Sequence, residues 1–263
     1  MPYISELSIY PLKSATGVSV KELTLTSRGP SFDRHWMVVN SNNRFITQRQ
    51  KSSMCLITTQ LVENTLVLNA PAMKELIVEQ NQQTRCVEVW DDQVEAYDCG
   101  EQAATWISNY LGIDCRLVSM PDDCKRLVDP HYAKQQETVS FADGFPSLII
   151  SQASLDDFNT KLEAPITMQH FRPNIVIDDC PPFAEDQWQA INVNDITLSL
   201  VKPCSRCIIP AIDPTTGKKR MDILQALNTH RRRDNATYFG QNALHDKPGV
   251  IRVGDKVEVI ALT

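Results

Sequence analysis

The segment Pro146-Ser147-Leu148-Ile149-Ile150 is the longest stretch of the sequence with the apolar character of a buried element. Its length is that of a β-strand and falls well short of the roughly 20 apolar residues of a membrane-spanning helix. Outward from it, short apolar segments recur at a spacing of roughly 8 to 12 residues, with few helical stretches between them. This pattern predicts a mainly β protein of the α+β class, barrel-like in build and with few short helices.

The spacing of apolar residues also predicts the individual strands and helices. Strands are predicted over residues 3–10, 18–26, 35–40, 55–59, 65–68, 75–78, 85–89, 93–96, 115–118, 146–150, 191–201, 207–212, 238–243 and 250–260. Apolar residues on one face predict helices over residues 101–111, 154–162 and 222–228, the first closed by Gly112. The stretch 120–143 is polar and aperiodic, which predicts a surface loop and a weak domain boundary.

Composition and charge exclude several classes of protein. The chain has 263 residues, 42% of them hydrophobic, enough for a core in one large or two modest domains. A net charge of −6 argues against binding to nucleic-acid polymers, which would need a dominant basic face. The sequence has no membrane-spanning segment and no signal peptide at its start, and its eight scattered cysteines are expected to be reduced. These features predict a cytoplasmic protein.

The candidate chemistry centres on Lys202-Pro203-Cys204-Ser205-Arg206-Cys207. A zinc site would need a second cysteine or histidine pair, which the sequence lacks. A thioredoxin-like redox pair would need a helix after the motif, whereas the residues after Cys207 have the pattern of a strand. Two further interpretations stay open: a pair of core residues, and one thiolate that ligates a soft metal held by a cofactor.

Basic residues that lie far apart in the sequence are the second candidate. Lys13 follows a strand and a proline, Arg34 precedes the strand at His35-Trp36, and Arg172 precedes Pro173. Each alone is most often a solvated surface charge. A fold that brought them together would create an anion site, because the fork of Arg matches phosphate geometry. The run His230-Arg231-Arg232-Arg233-Asp234 is expected to be solvated, with contact to an acidic redox partner as the alternative.

Ordered segments over almost the whole chain match a known family. They are Tyr10-Pro11-Leu12-Lys13-Ser14, Asp33-Arg34-His35-Trp36, Thr47-Gln48-Arg49-Gln50, Phe171-Arg172-Pro173-Asn174-Ile175, Ala184-Glu185-Asp186-Gln187-Trp188, Cys204-Ser205-Arg206-Cys207 and Asp213-Pro214-Thr215-Thr216-Gly217. On these segments the sequence resembles the MOSC-domain molybdenum enzymes, in the branch of the mitochondrial amidoxime-reducing component and its bacterial relatives. The resemblance implies a MOSC N-terminal β-barrel domain over residues 1–120, packed with a MOSC β-barrel domain over residues 121–263.

The resemblance also implies a molybdenum cofactor, a pterin whose dithiolene holds the metal and whose tail carries a phosphate. By motif position, Cys207 is expected to be the catalytic thiolate on molybdenum. Asp186 is expected near the open face of the metal, where it could serve proton delivery. The residues expected to bind the cofactor are Lys13, Ser14, Arg34, Arg172, Asn174, Ser205 and Arg206, with backbone contacts from Gly144 and Phe145. Cys204 receives no ligand role.

The implied function is the reduction of small N-hydroxylated compounds, such as hydroxylaminopurines and amidoximes, to amines and amidines. Many bacterial relatives carry a C-terminal iron–sulfur domain, but this chain ends after its last predicted strand and has no ferredoxin-type cysteine motif. Electrons are therefore expected from a separate flavin or iron–sulfur protein. One alternative is a molybdenum-cofactor sulfur carrier or cofactor-handling module, with Cys207 bearing a persulfide. Another is a non-enzymatic metal- or thiol-binding protein.

Overall fold

The computed structural model describes residues 1–79, 81–133 and 135–262. In that part of the chain the strands are β1 Tyr3–Ile9, β2 Val18–Val20, β3 Glu22–Thr26, β4 Gly29–Pro30, β5 Trp36–Asn40, β6 Thr58–Val62, β7 Thr65–Asn69, β8 Leu76–Ile77, β9 Thr84–Val89, β10 Asp92–Asp98, β11 Cys115–Ser119, β12 Ser147–Ser151, β13 Ile175–Asp178, β14 Trp188–Val193, β15 Ile196–Ser205, β16 Arg232–Arg233, β17 Ala236–His245, β18 Gly249–Arg252 and β19 Val257–Leu262. The α-helices are α1 Gly100–Leu111, α2 Gln152–Asn159 and α3 Met221–Arg231. Short 3-10 helices cover Ser52–Leu56, Met168–His170, Ala184–Gln187 and Ile209–Ala211.

The largest sheet runs in the order β19-β14-β15-β17-β12-β13-β1-β2, with β16 paired to β17. All its pairs are antiparallel except β12 and β13, which are parallel and joined by α2. An isolated bridge between Tyr3 and Lys256 brings β1 against the residues before β19, so the two ends of the path approach each other. The mainly β fold predicted from the sequence is confirmed.

Three smaller sheets complete the fold, in the orders β5-β11-β10-β9, β18-β3-β4 and β6-β7-β8. The first 30 residues join elements of the second half, because β1 pairs with β13 and β3 pairs with β18. The domain boundary after residue 120 stays a prediction, since these pairings cross it. Within the described residues, no helix has the length and apolarity to cross a membrane.

The central strand β12 explains how the second half is organised. All five of its residues are buried, as the apolar run beginning at Pro146 predicted. The hydroxyl of Ser151 then caps α2 by accepting a hydrogen bond from the backbone N–H of Ser154, at 3.1 Å. Helix α1 ends as predicted at Gly112, whose φ of 63° is the left-handed conformation that glycine adopts without strain.

Several predicted strands differ from the structure. The segment 55–59 begins in the 3-10 helix Ser52–Leu56, and the segment 18–26 divides into β2 and β3. The segment 191–201 contains a hairpin turn, because Asn194 takes a φ of 56° and Val193 pairs directly with Ile196 across two residues. The segment 207–212 is not a strand, since residues Ile209–Ala211 form a 3-10 helix with Pro210 in its first turn. Strand β15 instead runs on to Ser205, and its register against β17 shifts around Pro203, which lacks an N–H for the ladder.

Candidate functional site

A cavity of about 530 Å³ opens where the loops around the central sheet meet. Its size falls in the usual range for small-molecule sites. Its lining includes ten of the eleven residues predicted from the sequence, namely Lys13, Ser14, Arg34, Gly144, Phe145, Arg172, Asn174, Ser205, Arg206 and Cys207. The segments that carry them follow β1, precede β5, β12 and β13, and close β15. The fold therefore brings Lys13, Arg34 and Arg172 together, as the predicted anion site requires.

Backbone pairing holds the first two segments side by side. The N–H of Arg34 donates to the carbonyl of Tyr10 at 2.8 Å, and the N–H of Lys13 donates to the carbonyl of Trp36 at 2.8 Å. These bonds place Lys13 and Arg34 on one wall of the cavity, although they lie 21 positions apart in the sequence. The third segment is tied in by Asn174, whose N–H donates to the carbonyl of Leu148 at 2.9 Å.

The described lining is strongly cationic. Its ionisable side chains of positive charge are Lys13, Arg34, Arg49, Arg172, Lys202 and Arg206, and its carboxylate is that of Asp143. Because the whole chain is acidic, this concentration of positive charge is local. A cavity of this charge and size favours an anionic small molecule.

Arg34 and Arg172 flank one aromatic ring. Each guanidinium carbon lies 4.2 Å from the ring centroid of Tyr10, and the Tyr10 hydroxyl donates to the carbonyl of Pro173 at 3.0 Å. Burial raises the pKa of Tyr10 to about 12 and, together with nearby Arg34, lowers the pKa of Arg172 to about 10. Arg172 therefore stays charged at neutral pH.

Two buried polar atoms of the lining have no hydrogen-bond partner among the residues that the structure describes. They are Nη2 of Arg172 and the hydroxyl of Ser147. The other terminal nitrogen of Arg172 donates to the carbonyl of Ala15 at 2.6 Å, which fixes the side chain. Because an unpaired buried polar group is costly, these two atoms fit a bound ligand that carries hydrogen-bond acceptors.

Four described lining residues have strained backbones. Ser14, Arg34, Trp90 and Arg172 have φ values of 73°, 47°, 56° and 58°, a left-handed conformation that side chains rarely adopt. Such strain persists only where the surrounding contacts enforce it, and it concentrates in binding sites. All of them except Trp90 are among the residues predicted to hold the cofactor.

Lys13 and Asp143 form an ion pair in the cavity wall. The ammonium of Lys13 is buried and donates to Asp143 at 2.5 Å and to the carbonyl of Phe141 at 2.7 Å. Burial lowers the pKa of Lys13, while the Asp143 carboxylate opposes that effect. The pKa of Asp143 lies below its usual range because Lys13, Arg49 and Arg34 outweigh the opposing effect of burial.

The two cysteines of the C-x-x-C motif have different surroundings. Cys204 packs against the apolar cluster that includes Phe171 and Phe239, and burial raises the pKa of its thiol. The sulfur of Cys207 accepts a hydrogen bond from a guanidinium nitrogen of Arg49 at 3.4 Å and one from the N–H of Ile209 at 3.5 Å. Cys207 is therefore the thiol set among donors at the cavity wall.

Arg206 and Asn174, both predicted to bind the cofactor, each make several hydrogen bonds within the protein. Arg206 donates to the carbonyls of Phe239 and Phe171 at 2.7 to 3.0 Å. The amide of Asn174 donates to the carbonyl of Ser8 and to Asp33, and its oxygen accepts from the N–H of Leu148. These bonds lock both side chains in the wall, so their further contacts to a cofactor stay predictions.

The structure does not bring Asp186 to the cavity. Its carboxylate accepts from Arg231 at 2.5 Å, from Arg233 at 2.8 Å and from Gln241 at 2.8 Å, and its side chain is only 7% exposed. The geometry makes Asp186 an ion-pair partner for the basic run at the end of α3, and its role in proton delivery stays a prediction. Arg231 is thereby paired and only 11% exposed, contrary to the expectation for the segment. The other residues of the run, His230, Arg232, Arg233 and Asp234, are exposed as expected, although Arg233 also pairs with Asp186.

Sequence reasoning assigned no role to several lining residues. Arg49 lies within the quoted segment Thr47-Gln48-Arg49-Gln50, so that motif was the available signal. Trp90 and Ser147 carry no local signal, because they reach the cavity only through the packing of the β9–β10 turn and the start of β12.

The residues present fit a cofactor with an anionic tail and a thiophilic metal. The cationic wall, the two unpaired donors and the Cys207 sulfur supply the groups that such a cofactor needs. In the described part of the chain, no three His, Cys, Asp or Glu side chains come together as a metal-binding group.

Two family models match the chain. The MOSC N-terminal beta barrel domain matches residues 1–114, and the MOSC domain matches residues 136–258. The mitochondrial amidoxime-reducing component 1 proteins of Mus musculus and Homo sapiens are each 35% identical to this chain, over 98% of this chain and 82% of their own length. Mitochondrial amidoxime reducing component 2 from Rattus norvegicus is 34% identical, over 97% of this chain and 82% of its own. The chain thus has the architecture of a MOSC protein with a MOSC N-terminal domain. It belongs to the family of the mitochondrial amidoxime-reducing components.

Proposed function

We propose that this protein is a molybdenum-cofactor oxidoreductase that reduces N-hydroxylated compounds to the corresponding amines or amidines. The main observation behind the proposal is the Cys207 thiol on the wall of a cationic cavity that holds two unpaired buried donors. The relatives named amidoxime-reducing components support the reaction class. The two-domain division after residue 120 and the cytoplasmic location are part of the proposal.

The site residues divide into two groups. Lys13, Arg34 and Arg172 would neutralise the phosphate of the cofactor, with Ser14 and Ser147 as neutral donors. Cys207 would contribute the protein thiolate. When bound, the cofactor supplies a metal that accepts an oxygen atom and exchanges electrons in pairs.

The reaction consumes two electrons and two protons for each N–O bond, and it releases water and the N–H compound. A separate flavin or iron–sulfur protein would donate the electrons. The chain's own contribution is to bind and orient the cofactor, and to keep its charged tail in a cavity where Arg172 remains protonated.

The first test measures molybdenum and pterin in freshly purified protein, beside a Cys207→Ala variant. We expect near-stoichiometric molybdenum and pterin in the wild type, loss of molybdenum in the variant, and conversion of a hydroxylaminopurine with a chemical electron donor. Cofactor-loaded protein that leaves N-hydroxylated substrates unchanged contradicts the proposal. Delivery of cofactor or sulfur to an acceptor protein without such turnover would favour the sulfur-carrier alternative.

A further inference from the structure

We infer that Arg49 is a positioning residue for Cys207: its guanidinium directs the sulfur and strengthens the hold of that sulfur on a metal. The inference deepens the proposed function and rests on it. The carrying observation is the hydrogen bond from Nη2 of Arg49 to Sγ of Cys207, at 3.4 Å across 158 positions of sequence.

The Arg49 side chain is held in place from two further sides. Its guanidinium carbon lies 4.8 Å from the ring of Trp90, a cation–π contact, and its Nη2 lies 3.7 Å from the Asp143 carboxylate. The side chain is 26% exposed, so solvent reaches it only in part. A guanidinium fixed by a ring and a carboxylate keeps its direction toward the sulfur.

The backbone of Arg49 is fixed as well. Its N–H donates to the hydroxyl of Thr47 at 3.2 Å, and that hydroxyl donates to the side-chain oxygen of Gln50 at 2.6 Å. The neighbouring Gln48 donates to the carbonyl of Ser14 at 2.8 Å. These bonds attach the segment to the wall that carries Lys13 and Ser14, which makes it part of the same rigid site.

The five other cations of the described lining have contacts elsewhere. Arg206 and Arg172 donate to backbone carbonyls. Arg34 pairs with Asp33, Lys13 pairs with Asp143, and the ammonium of Lys202 lies 4.6 Å from the ring centroid of Tyr132. Within residues 1–79, 81–133 and 135–262, Arg49 is the side chain that donates to the Cys207 sulfur. Among the described residues, the side-chain hydrogen bond to this sulfur therefore depends on Arg49.

A donor next to a metal-binding sulfur has known physical consequences. Hydrogen bonds to thiolate ligands shift the reduction potential of the metal, and groups that orient a ligand typically change metal affinity about 10- to 100-fold. Replacing Arg49 by Gln removes the charge and the directed N–H groups. Arg44 provides a matched control, because it lies in the same region, is 61% exposed and pairs with Glu88 outside the cavity.

The first experiment needs no cofactor. The full-length chain, freed of cofactor, is alkylated at one pH with anionic iodoacetate and, separately, with neutral iodoacetamide. Trypsin cleaves after Arg206, so mass spectrometry follows Cys207 apart from Cys204. The ratio of the two rates reports the positive charge beside the sulfur and is independent of how much thiol is ionised.

We expect Arg49→Gln to lower the iodoacetate-to-iodoacetamide ratio about five-fold, the size of one screened charge near 4 Å. Arg49→Lys should keep part of the ratio, and Arg44→Gln should keep all of it. An unchanged ratio in a folded Arg49→Gln protein, with folding checked by near-UV circular dichroism, overturns the inference.

The second experiment uses the cofactor-loaded protein. Arg49→Gln should lose molybdenum about 10- to 100-fold more readily on dialysis than the wild type and should show a shifted metal potential, whereas Arg44→Gln should show neither. Equal retention and equal potential overturn the metal-directed part of the inference. Wild-type protein that takes up no molybdenum pterin would instead overturn the proposed function, and the alkylation ratio would still decide the placement of Arg49.

Discussion

At the scale of single residues, the two cysteines of the C-x-x-C motif differ in the residues that contact them. Cys204 contacts the apolar cluster under the central sheet, whereas Cys207 accepts hydrogen bonds from Arg49 and Ile209. Burial raises the pKa of the Cys204 thiol, whereas the Cys207 sulfur lies against two hydrogen-bond donors. This difference supports the proposal that Cys207 is the metal ligand of the pair.

Serine substitutions test this assignment. We expect Cys207→Ser to lose most bound molybdenum and nearly all turnover of N-hydroxylated substrates, because an alcohol is a poor ligand for a soft metal. The matched Cys204→Ser change should keep the metal. Metal analysis by mass spectrometry measures the molybdenum bound by each variant. Equal losses of molybdenum in both variants would contradict the difference in role between the two cysteines.

At the scale of elements, one glycine lets β17 lie tightly against β12. Gly240 has a φ of 78°, and an added Cβ would lie 2.5 Å from the side chain of Ile150 and 2.8 Å from the carbonyl of Ile149. The preceding residue, Phe239, supplies the carbonyl that anchors Arg206. The close approach of β17 to β12 at Gly240 therefore also helps to position Arg206 in the cavity wall.

The substitution Gly240→Ala should cost about 3 kcal/mol of unfolding free energy, since backbone strain and overpacking act together. Gly112→Ala provides the control, because its φ of 63° is also left-handed but nothing lies within 4 Å of an added Cβ. It should cost about 1 kcal/mol. Urea unfolding measures both, and equal costs would show that the contact with β12 has no effect.

A buried carboxylate joins three strands of the β5-β11-β10-β9 sheet to the start of α1. Asp98 in β10 accepts from Arg85 in β9 at 2.9 Å, from Arg116 in β11 at 2.6 Å and from the N–H of Gly100 at 2.8 Å. Burial alone would raise the pKa of Asp98, but these donors outweigh it and hold the pKa below the ordinary value of 3.8. The stabilisation from Asp98 is thus present above pH 3.8 and is lost as the pH falls through the lower pKa of the folded state.

Replacement of Asp98 by Asn should therefore destabilise the protein by about 3 kcal/mol at pH 7. The difference from the wild type should shrink once the pH falls below 3.8, because the wild-type carboxylate is then being protonated. Asp195→Asn, which removes an exposed partner of Lys247, should change stability little. Urea unfolding at pH 7 and near pH 3 checks this, and a gap that stays constant with pH would contradict it.

At the scale of the whole molecule, the cavity joins distant parts of the chain. Its wall runs from Lys13 to Asn242 and includes loops from both segments matched by the family models. A ligand that binds only the folded state stabilises it in proportion to the logarithm of its excess over the dissociation constant. Ligand binding in this cavity should therefore stabilise the whole fold.

Calorimetry should show a higher melting temperature for cofactor-loaded protein than for cofactor-free protein, as one shared transition. The Arg172→Met variant should show a smaller increase, because it removes the unpaired buried donor and a charge from the anion site. Equal melting temperatures with and without cofactor in the wild type would place the cofactor outside the cavity.

The sequence by itself determined the mainly β class, the central strand at Ser147–Ser151 and the end of α1 at Gly112. These features depend on local periodicity and turn chemistry, which neighbouring residues encode. It missed the Asn194–Asp195 turn, where β14 pairs directly with β15. It also missed the 3-10 helix after Cys207, where Pro210 outweighs the apolar pattern. Ten site residues predicted from family motifs line one cavity, although their contacts with a cofactor stay predictions.

Only the tertiary structure decided which side chains meet. In that structure Asp186 forms ion pairs with Arg231 and Arg233, and Arg49 donates a hydrogen bond to Cys207. Such contacts join residues 45 to 158 positions apart, so no local pattern can encode them. They follow from sheet pairing and core packing, because these fix the positions of the loops that carry the charged side chains.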